Sequence, residues 1–311
     1  MKRLKGETVM ADMSRYEQAY NGHYFVPYTK YDEYSEIFKP FFSMKREDGI
    51  IEVRMHKENE PGKPAMWSWA HHKGWGQLFK LIGQDPENEV LIISGDGDKW
   101  VDIETSTIEA SDDLRTADPG GFLDTLYPQY RDGSDLVNNT VFDLHIPTIG
   151  IINGPGPGHT EVPLFMDLTL MTPDSIIQDP HFMGGFVPGD GQHLANHYFM
   201  GHKRAVYLSY TGGAISAQTA LDWGVVNEVL PRPGIWDRAW EIARLIMKQP
   251  RHIRRLAHDM MREPLRRYIS DFFQGQFPME WWGCCYLLDP KTHHGWQDMV
   301  DITEVNREKV K

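Results

Sequence analysis

The feature that most constrains the fold of this chain is a set of short apolar runs separated by longer segments. A strand that is apolar along its whole length is buried on both faces, as in a parallel sheet covered by helices. Between the first two runs, residues 75–82 carry apolar side chains at helical spacing. The order strand, helix, strand therefore predicts an α/β protein with a mostly parallel, covered sheet. The runs are residues 50–55, in which apolar and charged positions alternate, and the nearly continuous runs 90–94, 148–152 and 168–171.

The two ends of the chain and residues 100–135 differ from the segments that carry these runs. The first 45 residues are polar and carry tyrosines at three- and four-residue intervals, which predicts an arm that lays its rings on the rest of the protein. Residues 100–135 are acidic and rich in turn formers, so we expect an extended excursion there. Near the C-terminus, apolar positions recur at helical spacing on both sides of Pro250, which predicts two helices. We therefore divide the chain into an N-terminal aromatic-rich arm (1–45), a core (46–235) and a C-terminal helical region (236–311).

Composition and charge exclude several classes of protein. The 311 residues include 32 basic and 44 acidic side chains, a formal net charge of -12, and no basic run is longer than two arginines. Nucleic acid is disfavoured as a partner, because phosphate contacts need clustered lysine and arginine. No run approaches the roughly 20 apolar residues that span a bilayer, and no apolar signal-peptide core follows the N-terminus. We expect a cytoplasmic protein, in which the adjacent Cys284 and Cys285 do not form a disulfide.

Residues 177–195 form the segment in which chemistry is most expected. His181 precedes Asp190 by nine residues, and several glycines and prolines lie between them or beside them. Such a sequence is unsuited to the interior of a helix or strand and predicts an ordered loop. A neutral imidazole at position 181 could take a proton from water near pH 7, because the ordinary pKa of histidine is about 6.5. Asp190 would fix its tautomer and stabilise the imidazolium that forms.

A glycine-rich segment, residues 153–158, follows the predicted strand 148–152 and precedes a helix predicted from His159. Strand, glycine loop and helix in this order invite comparison with nucleotide-binding loops. Neither the phosphate-loop pattern, which ends in Gly-Lys-Ser or Gly-Lys-Thr, nor the dinucleotide pattern Gly-x-Gly-x-x-Gly is present. We therefore expect the backbone amides of this loop to face another kind of ligand.

Two patterns resemble metal sites without matching them. Asp96 and Asp98 resemble part of a calcium loop but lack its spacing and its distal glutamate, so a solvated turn is expected. His193 and His197 have the spacing of zinc ligands on a helix, but no glutamate follows His193 as the general base of that motif. Ordinary helix-facing or surface histidines are the prediction, and no metal site is assigned.

Three motifs resemble those of the crotonase superfamily, the relatives of enoyl-CoA hydratase and isomerase. The resemblance covers about residues 47–282 and implies a spiral of repeated ββα units with a C-terminal helical region that supports homotrimers or dimers of trimers. The motifs are Ile-Pro-Thr-Ile-Gly-Ile-Ile-Asn-Gly-Pro (146–155), Pro-Gly-Asp-Gly (188–191) and Thr-Ala-Leu-Asp-Trp-Gly-Val-Val-Asn-Glu-Val-Leu (219–230).

Within that superfamily the chain is most similar to the β-diketone hydrolases, such as 6-oxocamphor hydrolase, which cleave a carbon–carbon bond without coenzyme A. The similar segments are Asp-Pro-His-Phe (179–182), Val-Pro-Gly-Asp-Gly (187–191), and Asn-Gly-Pro (153–155) followed by His-Thr-Glu (159–161). The resemblance implies that His181 and Asp190 activate water. It also implies that His159 and Trp67 hold the substrate oxygens and that Glu280 matches an acidic residue of the site.

The chain departs from the coenzyme A-dependent relatives at two segments that serve thioester binding there. Gly-His-Thr-Glu (158–161) replaces a run of small residues, and Lys-Trp-Val-Asp (99–102) replaces an Ala-Gly-Ala-Asp type segment. An apolar wall for a hydrophobic diketone is expected from aromatic side chains. The residues predicted to bind substrate are Trp67, Trp69, Phe182, Phe186 and Glu161, with Trp281 as a further ring.

These features predict a hydrolase that cleaves a cyclic β-diketone by a retro-Claisen route to a keto acid, without metal or organic cofactor. An acyl-CoA hydratase or isomerase of the same superfamily is the main alternative, although a net charge of -12 does not attract a polyanionic thioester. A third alternative is a degenerate member that serves in binding or assembly. For Trp67 and Trp69, core packing stays an open alternative, as does a local hydrogen bond for His159.

Overall fold

The computed structural model describes residues 28–102, 119–182 and 186–287, which form helices around a seven-stranded sheet. The strands are β1 (Phe42–Glu47), β2 (Ile50–Lys57), β3 (Glu60–Pro64), β4 (Val90–Gly95), β5 (Thr148–Ile152), β6 (Leu168–Met171), β7 (Ile176–Gln178), β8 (Ala214–Ser216) and β9 (Glu228–Val229). The α-helices are α1 (Tyr31–Phe38), α2 (Trp69–Gln84), α3 (Pro119–Asn138), α4 (Glu161–Leu164), α5 (Gln192–Met200), α6 (His202–Thr211), α7 (Ala217–Asp222), α8 (Arg232–Met247) and α9 (Arg251–Leu287). A π-helical turn (Asn139–Asp143) follows α3.

The central strands of the sheet are parallel, as the apolar runs predicted. The strand order is β1-β2-β4-β5-β6-β9, with β3 beside β2, and β7 and β8 form a separate antiparallel pair. Each neighbouring pair from β2 to β9 is parallel, whereas β1 and β3 are antiparallel to β2. The predicted α/β class is therefore confirmed, and β5 and β6 have the ends that the sequence predicted.

Helices cover both faces of the sheet. Successive side chains of a strand point to opposite faces, and here both sets are apolar and need cover. Ile51, Val53 and Ile93 belong to the larger core, on the face that α2 and α3 cover. Ile50 and Val90 belong to a smaller core on the other face, where they pack with residues of α8. A continuous apolar strand such as β4, in which all six residues are buried, is the consequence of this arrangement.

Several elements differ from the sequence predictions. The segment expected to be an extended excursion is helical from Pro119. In this helix Gly133 lets Phe277 of α9 pack so closely that a Cβ atom there would lie 2.5 Å from its ring. Tertiary packing of this kind overrides the low helix propensity of glycine and of Pro128. The helix expected from His159 begins at Glu161 and is four residues long. Strand β7 and the start of α5 occupy the ends of the segment that was predicted to be a loop throughout.

The proposed N-terminal arm is described only from residue 28. Tyr34 is fully buried, and β1 pairs with β2 in a register that places Phe42 opposite Met55. The boundary proposed at residue 45 therefore falls within β1, and the division into three regions stays a prediction. The tyrosines before residue 28, the acidic segment 103–118 and the side chains of the two cysteines lie outside the described residues. None of the described helices is both long and apolar enough to cross a bilayer.

Candidate active site

Two loops bring the candidate site together. One is residues 153–160, which follows β5, and the other is residues 179–191, which connects β7 to α5. Gln192, the first residue of α5, joins them because its buried side-chain oxygen accepts hydrogen bonds from the backbone N–H of Thr160 at 2.8 Å and from its hydroxyl at 3.0 Å. Sequence analysis did not single out Gln192, since a buried amide that joins two loops has no local sequence pattern.

The imidazole of His181 lies between two carboxylates. Its Nδ1 is 2.8 Å from Oδ1 of Asp179, and its Nε2 is 3.2 Å from Oδ2 of Asp190. Asp190 also accepts a hydrogen bond from the backbone N–H of Gln192 at 3.1 Å, and Asp179 accepts one from the hydroxyl of Ser209 at 3.2 Å. The predicted neighbours His181 and Asp190 are therefore close together, and each carboxylate is held in place by a second donor.

Asp179 is a residue of this site that the sequence analysis quoted in a motif but gave no role. Its side chain reaches both the ring and the backbone N–H of His181, at 2.8 and 3.2 Å. Aspartate bonds readily to the backbone two residues further on, and this habit is the signal that could have found it. Asp179 contacts Nδ1 and Asp190 contacts Nε2 of the same ring, and the orienting role expected of Asp190 stays a prediction.

Two carboxylates act on the pKa of His181. Burial alone would lower this pKa, but the charge of Asp190 and the hydrogen bonds to Asp179 and Asp190 outweigh burial and raise the pKa well above 6.5. The shift favours the imidazolium, so the neutral base form that the sequence predicted is reached at higher pH than for a free histidine. In turn, the imidazolium lowers the pKa of Asp190, although burial acts in the opposite direction.

His159 occupies a strained position above the second loop. Its backbone has φ of 51°, in the left-handed region that non-glycine residues rarely adopt. The ring stacks on Trp67 with centroids 3.7 Å apart and planes 12° apart. Its Nδ1 lies 3.0 Å from Oε1 of Glu161 and 3.7 Å from Oδ2 of Asp190. Trp67 and His159 are thus brought together beside the dyad.

Burial shifts the pKa values of His159 and Glu161 in the directions that favour their neutral forms. It lowers the pKa of His159 to about 4, and it raises the pKa of Glu161 well above 4.5, with the nearby charge of Asp190 acting in the same direction. In its protonated form Glu161 donates to Nδ1 of His159. The other ring nitrogen of His159, Nε2, then carries the proton and is a hydrogen-bond donor, as was expected for contact with a substrate oxygen.

Glu280 reaches the dyad from α9. One of its oxygens lies within 4.8 Å of ligand atoms of both His181 and Asp190. Burial and the charge of Asp190 raise its pKa well above 4.5. Its Oε2, like Oε2 of Glu161, is buried without a hydrogen-bond partner among the residues that the structure describes. The site therefore holds two carboxyl groups whose protonated forms are favoured and whose oxygens are free to meet a ligand.

The predicted aromatic wall is present in part. Trp69 lies with its ring centroid 5.9 Å from that of Trp281, which contacts Phe277 in turn. Phe186 is half-buried on the second loop. Phe182 is not brought to the site: its side chain is 47% exposed, and its ring packs 4.8 Å from Tyr210 on α6. The direction of a side chain in an irregular loop does not follow from sequence periodicity.

Two groups of three described residues could hold a metal ion, with ligand atoms within 4.8 Å of one another. They are His159 with Glu161 and Asp190, and His181 with Asp190 and Glu280. In each group the histidine nitrogen already faces a carboxylate oxygen at hydrogen-bond distance, 3.0 Å in the first and 3.2 Å in the second. A proton between Glu161 and Nδ1 of His159, and one on Nε2 of His181, satisfy these contacts without a metal.

The other candidate metal patterns have local hydrogen-bond partners. Nδ1 of His193 lies 3.3 Å from the Ser209 hydroxyl, and Nδ1 of His197 lies 2.5 Å from the Tyr268 hydroxyl. Asp96 is buried, in contrast to the expected solvated turn, because its carboxylate accepts a hydrogen bond from a backbone N–H of β3 at 2.7 Å. Both patterns are accounted for by contacts that hold the fold.

Comparisons with known proteins show the family of this chain. The sequence model of the enoyl-CoA hydratase/isomerase family matches residues 110–275. A carnitinyl-CoA dehydratase of Salmonella enteritidis PT4 is 28% identical over 243 residues, which are 76% of this chain and 88% of that protein.

Two solved structures extend the comparison. A beta-diketone hydrolase from the cyanobacterium Anabaena sp. PCC 7120, bound to (S)-3-oxocyclohexyl acetic acid, superposes with a TM-score of 0.73 at 29% identity, over 84% of this chain and 98% of that one. An enoyl-CoA hydratase/isomerase from Mycobacterium paratuberculosis superposes with a TM-score of 0.71 at 20% identity, over 82% and 96%. The family match covers more than half of the 311 residues, and the chain therefore belongs to the enoyl-CoA hydratase/isomerase family, the crotonase superfamily.

Proposed function

We propose that this protein is a hydrolase that cleaves the carbon–carbon bond between the two carbonyl groups of a cyclic β-diketone. The observation that carries the proposal is the buried imidazole of His181 between Asp179 and Asp190, beside the stacked pair of His159 and Trp67. The structural likeness to a beta-diketone hydrolase at 29% identity supports it. The reaction consumes one water molecule and gives a keto acid.

The first step is attack of water on one carbonyl carbon. The deprotonated form of the dyad, neutral His181 with anionic Asp190, takes a proton from water as hydroxide adds to the carbon. Asp179 holds the ring through Nδ1, so Nε2, which lies beside Asp190, is the nitrogen that takes the proton. Because the pKa of His181 is raised, this base form is more populated at alkaline pH.

The second requirement is stabilisation of the negative oxygen that forms on the attacked carbonyl. His159 donates from Nε2, and the indole N–H of Trp67 is a second donor beside it. A preorganised donor of this kind stabilises a transition state by about 2.7 to 4 kcal/mol. The strained backbone of His159 is consistent with a ring held in place for this purpose.

The third step breaks the carbon–carbon bond and leaves an enolate. Its carbon takes back the proton that the dyad removed from water, so the dyad returns to its starting form. The new carboxylic acid carries the hydroxyl of the water. Glu280, which lies beside the dyad and favours its protonated form, donates a hydrogen bond to the substrate or the water without adding charge.

An acyl-CoA hydratase or isomerase is the second candidate function. The family match and the 28% identity to a carnitinyl-CoA dehydratase favour it. In this chain, however, the loop after β5 places a histidine ring stacked on a tryptophan next to the dyad. A polar ring at this place suits a compact diketone. A loop of small residues, as expected in the coenzyme A-dependent relatives, would instead admit a thioester.

A substrate panel separates the two candidates. The wild-type protein is mixed with cyclic 1,3-diketones of different ring size and, separately, with an enoyl-CoA, and the Asp190→Asn variant is the matched control. The expected result is loss of enol absorbance with release of one acid per diketone, strongly reduced in the variant. Turnover of the enoyl-CoA together with stability of every diketone would contradict the proposal.

We propose in addition that the protein is a cytoplasmic homotrimer or dimer of trimers and needs no cofactor. The support for assembly is the apolar surface of α9, on which Leu256, Met260 and Met261 are between 65% and 71% exposed. Light scattering of the purified protein measures the molar mass. A monomer at micromolar concentration would contradict the proposed assembly.

A further inference from the structure

A hydrogen-bond network connects helices α5 and α6 to the imidazole of the candidate site. It runs from His193 to Ser209, from Ser209 to Asp179 and from Asp179 to His181, over 3.3, 3.2 and 2.8 Å. Ser209 lies on α6 and is 2% exposed, and His193 lies on α5 and is half-buried. The proposed function uses neither of these two residues. The four residues are called the Ser209 network below.

The direction of each hydrogen bond in the Ser209 network follows from the groups involved. A carboxylate only accepts, so Asp179 receives the hydroxyl proton of Ser209 at Oδ2 and the Nδ1 proton of His181 at Oδ1. A hydroxyl group has one proton, and Ser209 donates it to Asp179. His193 therefore donates from Nδ1 to the oxygen of Ser209. Every donor of the network points towards Asp179.

Asp179 depends on these donors because its side chain is fully buried. Its Oδ1 accepts from the ring and from the backbone N–H of His181. Its Oδ2 meets only the Ser209 hydroxyl among the residues that the structure describes. Without that hydroxyl, a buried carboxylate oxygen would have no donor, and the carboxylate could turn about its Cβ–Cγ bond. The Ser209 hydroxyl thus fixes which oxygen faces His181.

The outer end of the network is held by α5 and α9. The ring of His193 lies 6.1 Å from that of His197, with the planes 29° apart, and Nδ1 of His197 lies 2.5 Å from the hydroxyl of Tyr268 on α9. Burial lowers the pKa of His193, although the charge of Asp179 opposes it. A neutral ring carries one proton, and the contact with Ser209 places this proton on Nδ1.

The position of Asp179 affects the proton affinity of His181. Burial lowers the pKa of His181, whereas the charge of Asp190 and the hydrogen bond and charge of Asp179 raise it. Both contributions of Asp179 weaken if its carboxylate turns away from Nδ1. The other ionisable groups that interact with His181 act from other elements. They are His159 and Glu161 at the start of α4, Glu280 of α9 and His72 of α2.

We propose that Ser209 is a positioning residue for the dyad of His181 and Asp190. Its hydroxyl holds Asp179 against Nδ1 of His181, and His193 directs that hydroxyl towards Asp179. Neither Ser209 nor His193 touches the substrate, and both act on the reaction only through Asp179. The inference deepens the proposed function and rests on it, because it concerns the same imidazole.

Titration of His181 by nuclear magnetic resonance tests the assignment without a substrate. Protein with nitrogen-15 in its histidines is titrated as wild type, Ser209→Ala and Ser94→Ala. Ser94 is the matched control, because it is fully buried and its hydroxyl accepts from Nε1 of Trp236 at 3.1 Å, on the sheet face that α8 covers. We expect the midpoint of His181 to move to lower pH in Ser209→Ala, since the contributions of Asp179 weaken. Ser94→Ala should keep the wild-type midpoint.

Kinetics of single and double variants test the order of the network. With a cyclic 1,3-diketone, Ser209→Ala should lower kcat/KM by about 10-fold and His193→Leu by about 3-fold, since each variant removes one hydrogen bond. In the Ser209→Ala background, His193→Leu should have no further effect, because His193 acts only through the hydroxyl. Ser94→Ala should keep the kcat/KM of the wild type.

Thermal unfolding of the same variants separates positioning from a structural role. Equal losses of Tm in the two serine variants, with a moved midpoint only in Ser209→Ala, support the assignment. An unmoved or raised midpoint in Ser209→Ala, or an equal shift in Ser94→Ala, overturns it. A His193→Leu effect that adds in full to that of Ser209→Ala overturns the part given to His193. Wild-type protein that cleaves no diketone contradicts the proposed function, and the titration then decides by itself whether Ser209 positions Asp179.

Discussion

Two clusters of ionisable groups in this molecule differ in how completely they are paired. In the first, which anchors α9 to the sheet, the carboxylate of Asp167 accepts from the backbone N–H of Thr148 at 2.8 Å and meets His258 at 2.8 Å and Arg262 at 3.2 Å. In the second, the candidate site, several carboxyl groups surround His181, and neither lysine nor arginine is among the described contacts of Glu161 or Glu280.

The pKa shifts follow from this difference. At Asp167, burial would raise the pKa, but hydrogen bonds and charges from His258 and Arg262 outweigh it and lower the pKa. At Glu161 and Glu280, burial and the charge of Asp190 both raise the pKa. A fully paired cluster stabilises the fold, whereas a cluster with unpaired oxygens and displaced pKa values is suited to moving protons.

The largest expected effect is on turnover, at Asp190. Replacing Asp190 with Asn keeps the side-chain shape but removes the charge that stabilises the His181 imidazolium, and we expect kcat to fall about 1,000- to 10,000-fold. Circular dichroism should show a folded protein. Asp167→Asn is the matched control from the anchoring cluster, and its kcat should be near that of the wild type. Equal losses in the two variants would remove the distinction between the clusters.

The next effect is on stability, at Arg262. This guanidinium is 3% exposed and donates to the carbonyl of Thr140 at 2.7 Å as well as meeting Asp167. Arg262→Met leaves the buried carbonyl of Thr140 without this donor, so the free energy of unfolding should fall by about 1 to 3 kcal/mol. Urea denaturation measures it. A stable Arg262→Met protein would show that the pairing in this cluster contributes little.

The pH dependence of activity tests the role of His181 in the second cluster, the candidate site. Since the base is the deprotonated dyad, kcat/KM should rise with pH through the raised pKa of His181, above 6.5. The same shift acts on stability with the opposite sign. A protonated His181 stabilises the folded state, so this contribution is present at low pH and is lost as pH rises through that pKa. Activity that falls steadily between pH 6.5 and 9 would contradict His181 as the base.

A smaller effect concerns backbone strain at His159. Its left-handed conformation costs a non-glycine residue about 1 kcal/mol, and glycine adopts it freely. His159→Gly should therefore recover much of the stability that the loss of stacking on Trp67 removes, whereas His159→Ala should be the less stable of the two. Both variants should lose turnover. Calorimetric unfolding compares them, and a more stable His159→Ala would show that the backbone is not strained.

The sequence predicted much of the fold because its signals are local. Continuous apolar runs gave β5 and β6 with their observed ends, and the stripe beyond residue 235 gave α8. Helix α3 was missed because Pro128 and Gly133 weaken the local signal, and its stability comes from packing against α2 and α9. Contacts between distant segments decide such a helix, and a local pattern does not show them.

The same division between local and distant contacts holds at the site. Motif similarity found His181, Asp190 and His159, which the structure brings together. It did not give the raised pKa of His181, because that depends on two carboxylates acting at once in a buried place.

The most direct test of water activation by the dyad is mass spectrometry of the product formed from a cyclic 1,3-diketone in water enriched in oxygen-18. Hydrolytic cleavage places one heavy oxygen atom in the new carboxylate at each turnover, and the Asp190→Asn protein should form almost none of this product. Cleavage without heavy oxygen, or turnover that survives unchanged in the variant, would contradict the account.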